Sequence, residues 1–220
     1  MAQMTRKVYG IAVLPSVALP ASVDWSAVPS AQIDSYRWLG GGYEPHAEAR
    51  LAFLPRYGFA LRMRCEESNP RAVYDRYNEP VYTDSCLEFF AAWAYGKNHD
   101  DLRYINMEMN AHGTLLSCVG SGRNARVPVA DITSGELPVV KGEILADSWS
   151  VTAGIPFTFL EKVYGISPPV FVSGYRFRGN FYKCGDSTDI PHYGMWNPVE
   201  TDKPDFHRPE YFGDFVIGNV

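Results

Sequence analysis

Short runs in which apolar and polar residues alternate with a period of two recur along this chain. In residues 59–65 the apolar side chains are separated by Arg62 and Arg64, and residues 82–90 and 104–110 alternate in the same way. Successive side chains of a strand point to opposite faces, so each run predicts a β-strand with one buried and one polar face. Further strands are predicted at 8–14, 47–54, 114–119, 142–151, 175–183 and 215–217.

Helix signals are few. Residues 157–164 (FTFLEKVY) predict about two helical turns, because Pro156 is favourable at a helix start. Residues 85–95 have a helix-like composition, but their alternation favours a strand. The 19 glycines and 16 prolines are spread along the chain without a long linker. This pattern predicts one all-β domain over residues 1–220, a two-sheet β-sandwich of immunoglobulin-like or jelly-roll type with under about 15 % helix.

Composition and charge narrow the classes of partner. Apolar residues make up 46 % of the chain, which is enough for a packed core, and the net charge is −5. No run of lysine or arginine stands out, so nucleic acid is not an expected partner. No apolar stretch approaches 18 residues, so a membrane partner is not expected either. The sequence indicates no particular protein partner.

The beginning of the chain allows two interpretations. Arg6 and Lys7 precede the apolar run 8–14, which resembles the start of a signal peptide. Pro15 and Pro20 interrupt that run, so a first strand is the preferred interpretation and the cytoplasm the expected location. The alternative is a trimmed secretory precursor, which would place the protein outside the cell.

The sequence predicts no cofactor. The four cysteines are widely spaced without a C-x-x-C pair, so zinc spacing is absent and buried free thiols are expected. The aspartates at 100–101 and 186–189 offer oxygen ligands for a structural calcium ion, although such residues are more often ordinary turn residues.

The most informative feature is the polar face of two predicted strands. Tyr82 and Glu88 are six residues apart, which places them on the same side of a strand. Asn106, Glu108 and Asn110 share one face of another strand. If the strands are neighbours, an aromatic ring, two carboxyls and two amides converge, which is the mixture that a sugar requires. The alternative is an ordinary solvated sheet face.

A second group of polar and aromatic residues lies near the C-terminus. Trp196 and the segment 206–213 (FHRPEYFG) contain prolines and a glycine that prevent a continuous strand. A structured loop before a final strand is therefore expected, and aromatic residues in such loops often build binding sites.

Several of these motifs together resemble family 9 carbohydrate-binding modules. Residues 80–90 (PVYTDSCLEFF) are similar to that family's "P-V-aromatic-x-D-(S/D)-x-(V/L)-E-x-F" strand, and residues 104–114 (YINMEMNAHGT) to its "Y-x-N-x-E-x-N-x-x-G-T" strand and turn. Residues 180–183, 196–198 and 206–213 resemble its closing motifs in the same order. The resemblance implies a DOMON-like β-sandwich that binds a mono- or oligosaccharide, often at a chain end, between two aromatic rings.

The resemblance also suggests roles for individual residues. Tyr82 and Phe206 stand where the two sandwiching rings are expected, and Glu88 matches an acid that binds sugar hydroxyls. Asn106 stands where a relative has an arginine. Family members can carry structural calcium, and the superfamily includes haem-binding domains with methionine ligands, but Met63, Met107 and Met109 are better explained by core packing. The candidate sugar-binding residues are Tyr82, Asp84, Glu88, Asn106, Glu108, Asn110, Trp196, Phe206, His207 and Arg208.

The leading hypothesis is therefore non-catalytic carbohydrate binding, with no catalytic residue assigned. One alternative is a glycoside-active enzyme that uses Glu88 and Glu108, since such enzymes require two carboxyls about 5–10 Å apart. Another alternative is a structural or partner-binding sandwich.

Overall fold

The protein is mostly β-structure. A computed structural model describes residues 6–38, 42–97 and 101–218, and Asp100, one of the candidate calcium ligands, lies outside these residues. The described strands are β1 (Val8–Val13), β2 (Ala31–Gln32), β3 (Ser35–Tyr36), β4 (Ala47–Leu54), β5 (Gly58–Cys65), β6 (Cys86–Ala92), β7 (Tyr104–Asn110), β8 (Leu115–Gly120), β9 (Arg126–Pro128), β10 (Val139–Ile144), β11 (Trp149–Pro156), β12 (Arg176–Cys184), β13 (Tyr193–Met195) and β14 (Gly213–Ile217).

The helical elements in the described residues are short. The α-helices are α1 (Val129–Thr133) and α2 (Phe157–Tyr164). Single 3₁₀ turns occur at Pro20–Ser22, Trp25–Ala27, Val81–Thr83, Trp93–Gly96, Pro168–Val170 and Pro209–Tyr211. No helix in the described residues is long and apolar enough to span a membrane.

Most of the predicted elements are confirmed. The strand at 47–54 is β4, and the helix at 157–164 is α2, which buries its apolar side chains and ends at Gly165 in the left-handed conformation.

Two predicted strands were wrong in their limits. The strand predicted at 82–90 begins only at Cys86, because Val81–Thr83 forms a 3₁₀ turn.

The second incorrect prediction is the single strand at 142–151. These residues contain the end of β10, a turn and the start of β11. The Leu145 amide donates to the Ser148 carbonyl at 2.8 Å, so the chain reverses there and the two strands pair in antiparallel fashion. The apolar residues on both sides of the turn produced the appearance of one continuous strand.

The strands form one hydrogen-bonded path in the order β10-β11-β5-β4-β1-β14-β12-β6-β7-β8-β9. Strand β1 joins its two halves. Residues 8–11 run parallel to β14, and residues 12–13 run parallel to β4. The sheet therefore curls at β1, with β4, β5, β10 and β11 in a first strand group and β6–β9, β12 and β14 in a second.

The main core contains side chains from both strand groups. Phe59 of β5 and Trp149 of β11 come from the first group, and Phe89 of β6 and Phe181 of β12 from the second; all four are buried. Phe89 and Phe181 stack with ring centroids 5.0 Å apart. The methionines of the haem alternative, Met63, Met107 and Met109, lie in this core as well. All four cysteines are free thiols, and only Cys118 is half-buried rather than buried.

A buried group of ionisable side chains also links the two strand groups. The Lys183 ammonium of β12 lies 3.3 Å from a Glu67 carboxylate oxygen and 2.6 Å from His192 Nε2. Glu67 accepts hydrogen bonds from the indole of Trp149 in β11 and from the Ser85 hydroxyl. Burial, together with the nearby ammonium, lowers the pKa of His192 to about 4, so the ring is neutral and accepts from Lys183.

Candidate functional site

A cleft of about 230 Å³ lies over the face of β6 and β7 that points away from the main core. Its walls come from strand side chains, from the β8–β9 turn and from the loop before β14. The residues that line it are Tyr82, Glu88, Glu108, Leu116, Arg123, Arg126, Cys184, Asp186, Tyr193, Pro204, Asp205, Phe206 and His207.

Two carboxyl groups form the bottom of this cleft. Glu88 of β6 and Glu108 of β7 are direct partners in the antiparallel register, so their side chains share one face. The condition for the predicted polar patch, that the strands of these two acids are neighbours, is therefore met. Both are 3 % exposed. Burial raises the pKa of Glu108 to about 7 and that of Glu88 well above its ordinary value, to which the nearby Glu108 charge also contributes.

Asn106 positions one of these acids but does not itself line the cleft. Its side-chain amide donates to Glu108 Oε1 at 3.0 Å, and its side-chain oxygen accepts from Arg126 Nη1 at 3.0 Å. Arg126 lies 3.8 Å from the same Glu108 oxygen. Glu108 is therefore held by an amide and an arginine, whereas the hydrogen bond that Glu88 accepts comes from the Cys184 thiol at 2.9 Å.

His207 closes one side of the cleft as a neutral ring. Its centroid lies 4.9 Å from that of Phe90, and its Nδ1 is 3.0 Å from the Tyr104 hydroxyl. Burial and the charges of Arg126 and Arg123 together lower its pKa to about 3. In the tautomer whose Nδ1 accepts from Tyr104, Nε2 carries the proton and can donate a hydrogen bond.

The two rings predicted to sandwich a sugar differ in exposure. Tyr82 stands in the 3₁₀ turn before β6 and is 40 % exposed. Phe206 is 7 % exposed and stacks on Tyr182, with ring centroids 4.1 Å apart and planes inclined by 11°. Tyr82 therefore offers a free ring, whereas Phe206 is a wall residue with one face already covered.

Two of the predicted site residues hold a neighbouring loop instead of lining the cleft. Asp84 is fully buried and accepts hydrogen bonds from the amides of Val73 and Tyr74, and from the side chain of Asn110. Asn110 also accepts from the amides of His112 and Thr114, which closes the β7–β8 turn.

Two other predicted residues also lie outside the lining. Trp196 is packed in the main core, with its ring centroid 5.2 Å from that of Phe215 and 5.9 Å from that of Phe181. Arg208 pairs with Glu210 at 2.6 Å on the surface. Of the ten predicted residues, the structure brings Tyr82, Glu88, Glu108, Phe206 and His207 together in the cleft.

Sequence reasoning missed the basic residues of the site. Arg123 lies in the β8–β9 turn and Arg126 begins β9, and Arg123 pairs with Asp205 at 2.9 Å. The available signal was the position of these arginines just after a strand predicted to follow the polar strand 104–110. Asp186 and Cys184 were also missed, and both come from the end of β12 beside β6.

Comparisons with known proteins identify relatives of the whole described fold. A family model for carbohydrate-binding family 9 matches residues 17–217. The crystal structure of a candidate carbohydrate-binding protein from Bacteroides uniformis ATCC 8492 is 27 % identical with a TM-score of 0.79, over 97 % of this chain and 100 % of that chain.

More distant likeness extends to a family 9 module from Caldicellulosiruptor kristjanssonii. Its complex with glucose is 13 % identical with a TM-score of 0.66, over 97 % of both chains. Its complex with cellotriose is 13 % identical with a TM-score of 0.63, over 97 % of this chain and 95 % of that chain. No curated protein sequence matches the chain.

Proposed function

The chain belongs to carbohydrate-binding family 9, and from this premise we propose that its cleft binds a mono- or oligosaccharide without catalysing a reaction. Relatives of similar fold have been solved with glucose and with cellotriose, which makes these two sugars the first ligands to test. We also infer that the curled sheet is a two-sheet sandwich. Membership of the family supports this description, and so does the main core, which contains side chains from both strand groups.

The observation that carries the proposal is the pair of buried carboxyls beneath an exposed aromatic ring. A saccharide presents hydroxyl groups at its edges and C–H groups on its faces. Glu88 and Glu108 supply hydrogen-bonding groups at the bottom of the cleft, and the ring of Tyr82 supplies an apolar surface at its edge. Arg126 and His207, which also line the cleft, add hydrogen-bond donors.

The two aromatic residues have unequal roles in this proposal. The exposed ring of Tyr82 is the platform on which a pyranose stacks. Phe206 contributes only its uncovered part, because Tyr182 occupies one of its faces. The sugar is therefore held between the broad ring surface of Tyr82 and the narrower exposed part of Phe206.

Calorimetric titration with glucose and cellotriose tests this role, preceded by a glycan array if neither sugar binds. Replacing Tyr82 with Ala removes the stacking surface and should weaken binding by about 1–3 kcal/mol, roughly ten- to hundredfold. Tyr82→Phe keeps the ring and serves as the matched control. Undiminished binding by Tyr82→Ala would place the saccharide elsewhere.

A glycoside-active enzyme remains a second candidate because of the same two acids. The raised pKa values of these buried carboxyls keep them protonated to a higher pH than usual. A protonated carboxyl is what a glycosidase uses as its general acid. The bound sugar should be incubated with the protein and assayed for new reducing ends. Product that disappears in a Glu108→Gln variant would favour the enzyme over the binding module.

A further inference from the structure

A second chemical feature lies at the bottom of the cleft, where two cysteines meet an acid. Cys86 of β6 and Cys184 of β12 are direct partners in the antiparallel register. Glu88 follows Cys86 by two residues, so it points to the same face of β6. The two sulfur atoms and a Glu88 carboxylate oxygen all lie within 4.8 Å of one another, and all three residues are buried.

This spacing suits a single metal ion. Zinc binds thiolate sulfur at about 2.3 Å and carboxylate oxygen at about 2.0–2.2 Å, so tetrahedral ligands lie about 3.5–4 Å apart. The three atoms need to move by less than about 1 Å to meet that geometry. Two sulfurs and one oxygen favour a thiophilic ion, since calcium and magnesium take sets made of oxygen.

The surroundings of Glu88 also suit a metal ligand. Its neighbour Glu108 has Arg126 at 3.8 Å, but among the residues that the structure describes no basic side chain lies within 4.0 Å of Glu88. A buried acid normally has a cationic partner or coordinates a metal. A divalent ion that displaces the two thiol protons leaves the net charge of the group unchanged and coordinates the Glu88 carboxylate directly.

We propose that Cys86, Cys184 and Glu88 form a binding site for a thiophilic divalent ion, with Zn²⁺ as its best-fitting occupant. Cys184 and Glu88 both line the cleft, so a fourth coordination position faces the cleft and is open to water or a saccharide hydroxyl. The site does not depend on the proposed function, because its three ligands are in place whether or not a sugar binds.

Titration of the fully reduced protein with Co²⁺ tests the site without any sugar. Cobalt replaces zinc in such sites and gives a thiolate-to-cobalt charge-transfer band in the near ultraviolet. The band should appear with one equivalent of Co²⁺ and should disappear when Zn²⁺ is added. A reduced wild-type protein without this band would overturn the proposal, whatever the sugar titrations show.

Variants identify the ligands. Cys86→Ser and Cys184→Ser should each lose the band, whereas Cys118→Ser should keep it, because Cys118 is a half-buried thiol outside the group. Loss of the band in Cys118→Ser as well would contradict the assignment. If the serine variants do not fold, Glu88→Gln is the variant to test, because it leaves both thiols in place. It should weaken Co²⁺ binding. Unchanged binding would show that Glu88 is not a ligand.

Discussion

Phe206 shows how a single side chain can belong both to the wall of the cleft and to the packing beneath it. Its ring lines the cleft, yet it also stacks on the ring of Tyr182, and its centroid lies 6.0 Å from that of the Trp38 ring. The resemblance to family 9 modules suggested Phe206 as a free stacking residue like Tyr82. Its low exposure instead indicates that its substitution affects stability as well as binding.

Phe206→Ala should therefore destabilise the fold, by about 3–5 kcal/mol, because it removes a packed ring and leaves a cavity against Tyr182. Tyr82→Ala is the matched control and should change the free energy of unfolding by less than about 0.5 kcal/mol, since that ring is exposed. Urea denaturation of both variants measures the difference. Equal stability of the two would show that the packing of Phe206 contributes no more to the fold than that of Tyr82.

The sequence predicted some residues of the cleft but not the contacts that depend on the folded chain. The motifs identified Glu88 and Glu108, because their strand phase is a local property. They gave no information on Arg126, whose contact with Asn106 depends on how β9 folds back beside β8. Tyr82 reaches the cleft from a 3₁₀ turn rather than through the strand phase used to predict it.

Among the elements, the β4–β5 hairpin depends on one glycine. Gly58 has a φ of +136°, and a Cβ atom there would lie 2.2 Å from the Ile155 carbonyl oxygen of β11. The pairing of Gly58 with Pro156 brings the two backbones together at this point. A side chain at this position therefore conflicts with both the conformation and the neighbouring strand.

Gly58→Ala should destabilise the protein by about 1–3 kcal/mol, because the strained backbone and the clash act together. Gly122→Ala is a suitable control, since a Cβ atom there has nothing within 4 Å. Thermal unfolding of both variants makes the comparison. A Gly58→Ala protein that melts with the control would show that β11 can move aside.

Elements with a clear period were predicted well, and turns inside apolar runs were not. The limits of β4 and α2 follow from local pattern and from Pro156 and Gly165. The turn between β10 and β11 lacks a glycine or proline, and the Asp147–Ser148 pair alone did not reveal it within the apolar run. Only the antiparallel pairing of β10 with β11 in the structure shows where the chain reverses.

At the scale of the whole molecule, the buried Glu67–Lys183–His192 group makes stability depend on pH. The pKa of His192 is about 4 in the folded protein and about 6.5 in an unfolded chain. Between these values the unfolded chain binds a proton that the folded protein does not. The free energy of unfolding should therefore decrease as pH falls from about 6.5 to about 4, by on the order of 3 kcal/mol from this group.

Other groups act in the opposite direction and call for a control. Glu108 has its pKa raised to about 7, so its contribution to stability is lost as pH rises from about 4.5 to about 7. His192→Gln keeps a hydrogen-bond acceptor beside Lys183 without a titrating ring. Urea denaturation across this range should show a flatter acid limb for the variant, and identical profiles would mean that His192 does not carry the effect.

The pairing of β1 with β14 determines the order in which this fold can be completed. Residues 8–11 find their partner at residues 214–217, and β12 also pairs with β14. During synthesis, β1 leaves the ribosome long before β14, the strand that lies between β1 and β12, and β12 also emerges ahead of it. Until residues 213–217 emerge, both strands present open edges to other chains, and so long-range a pairing folds slowly. The final strand thus controls both the closure of the sheet and how long a nascent chain remains open to aggregation.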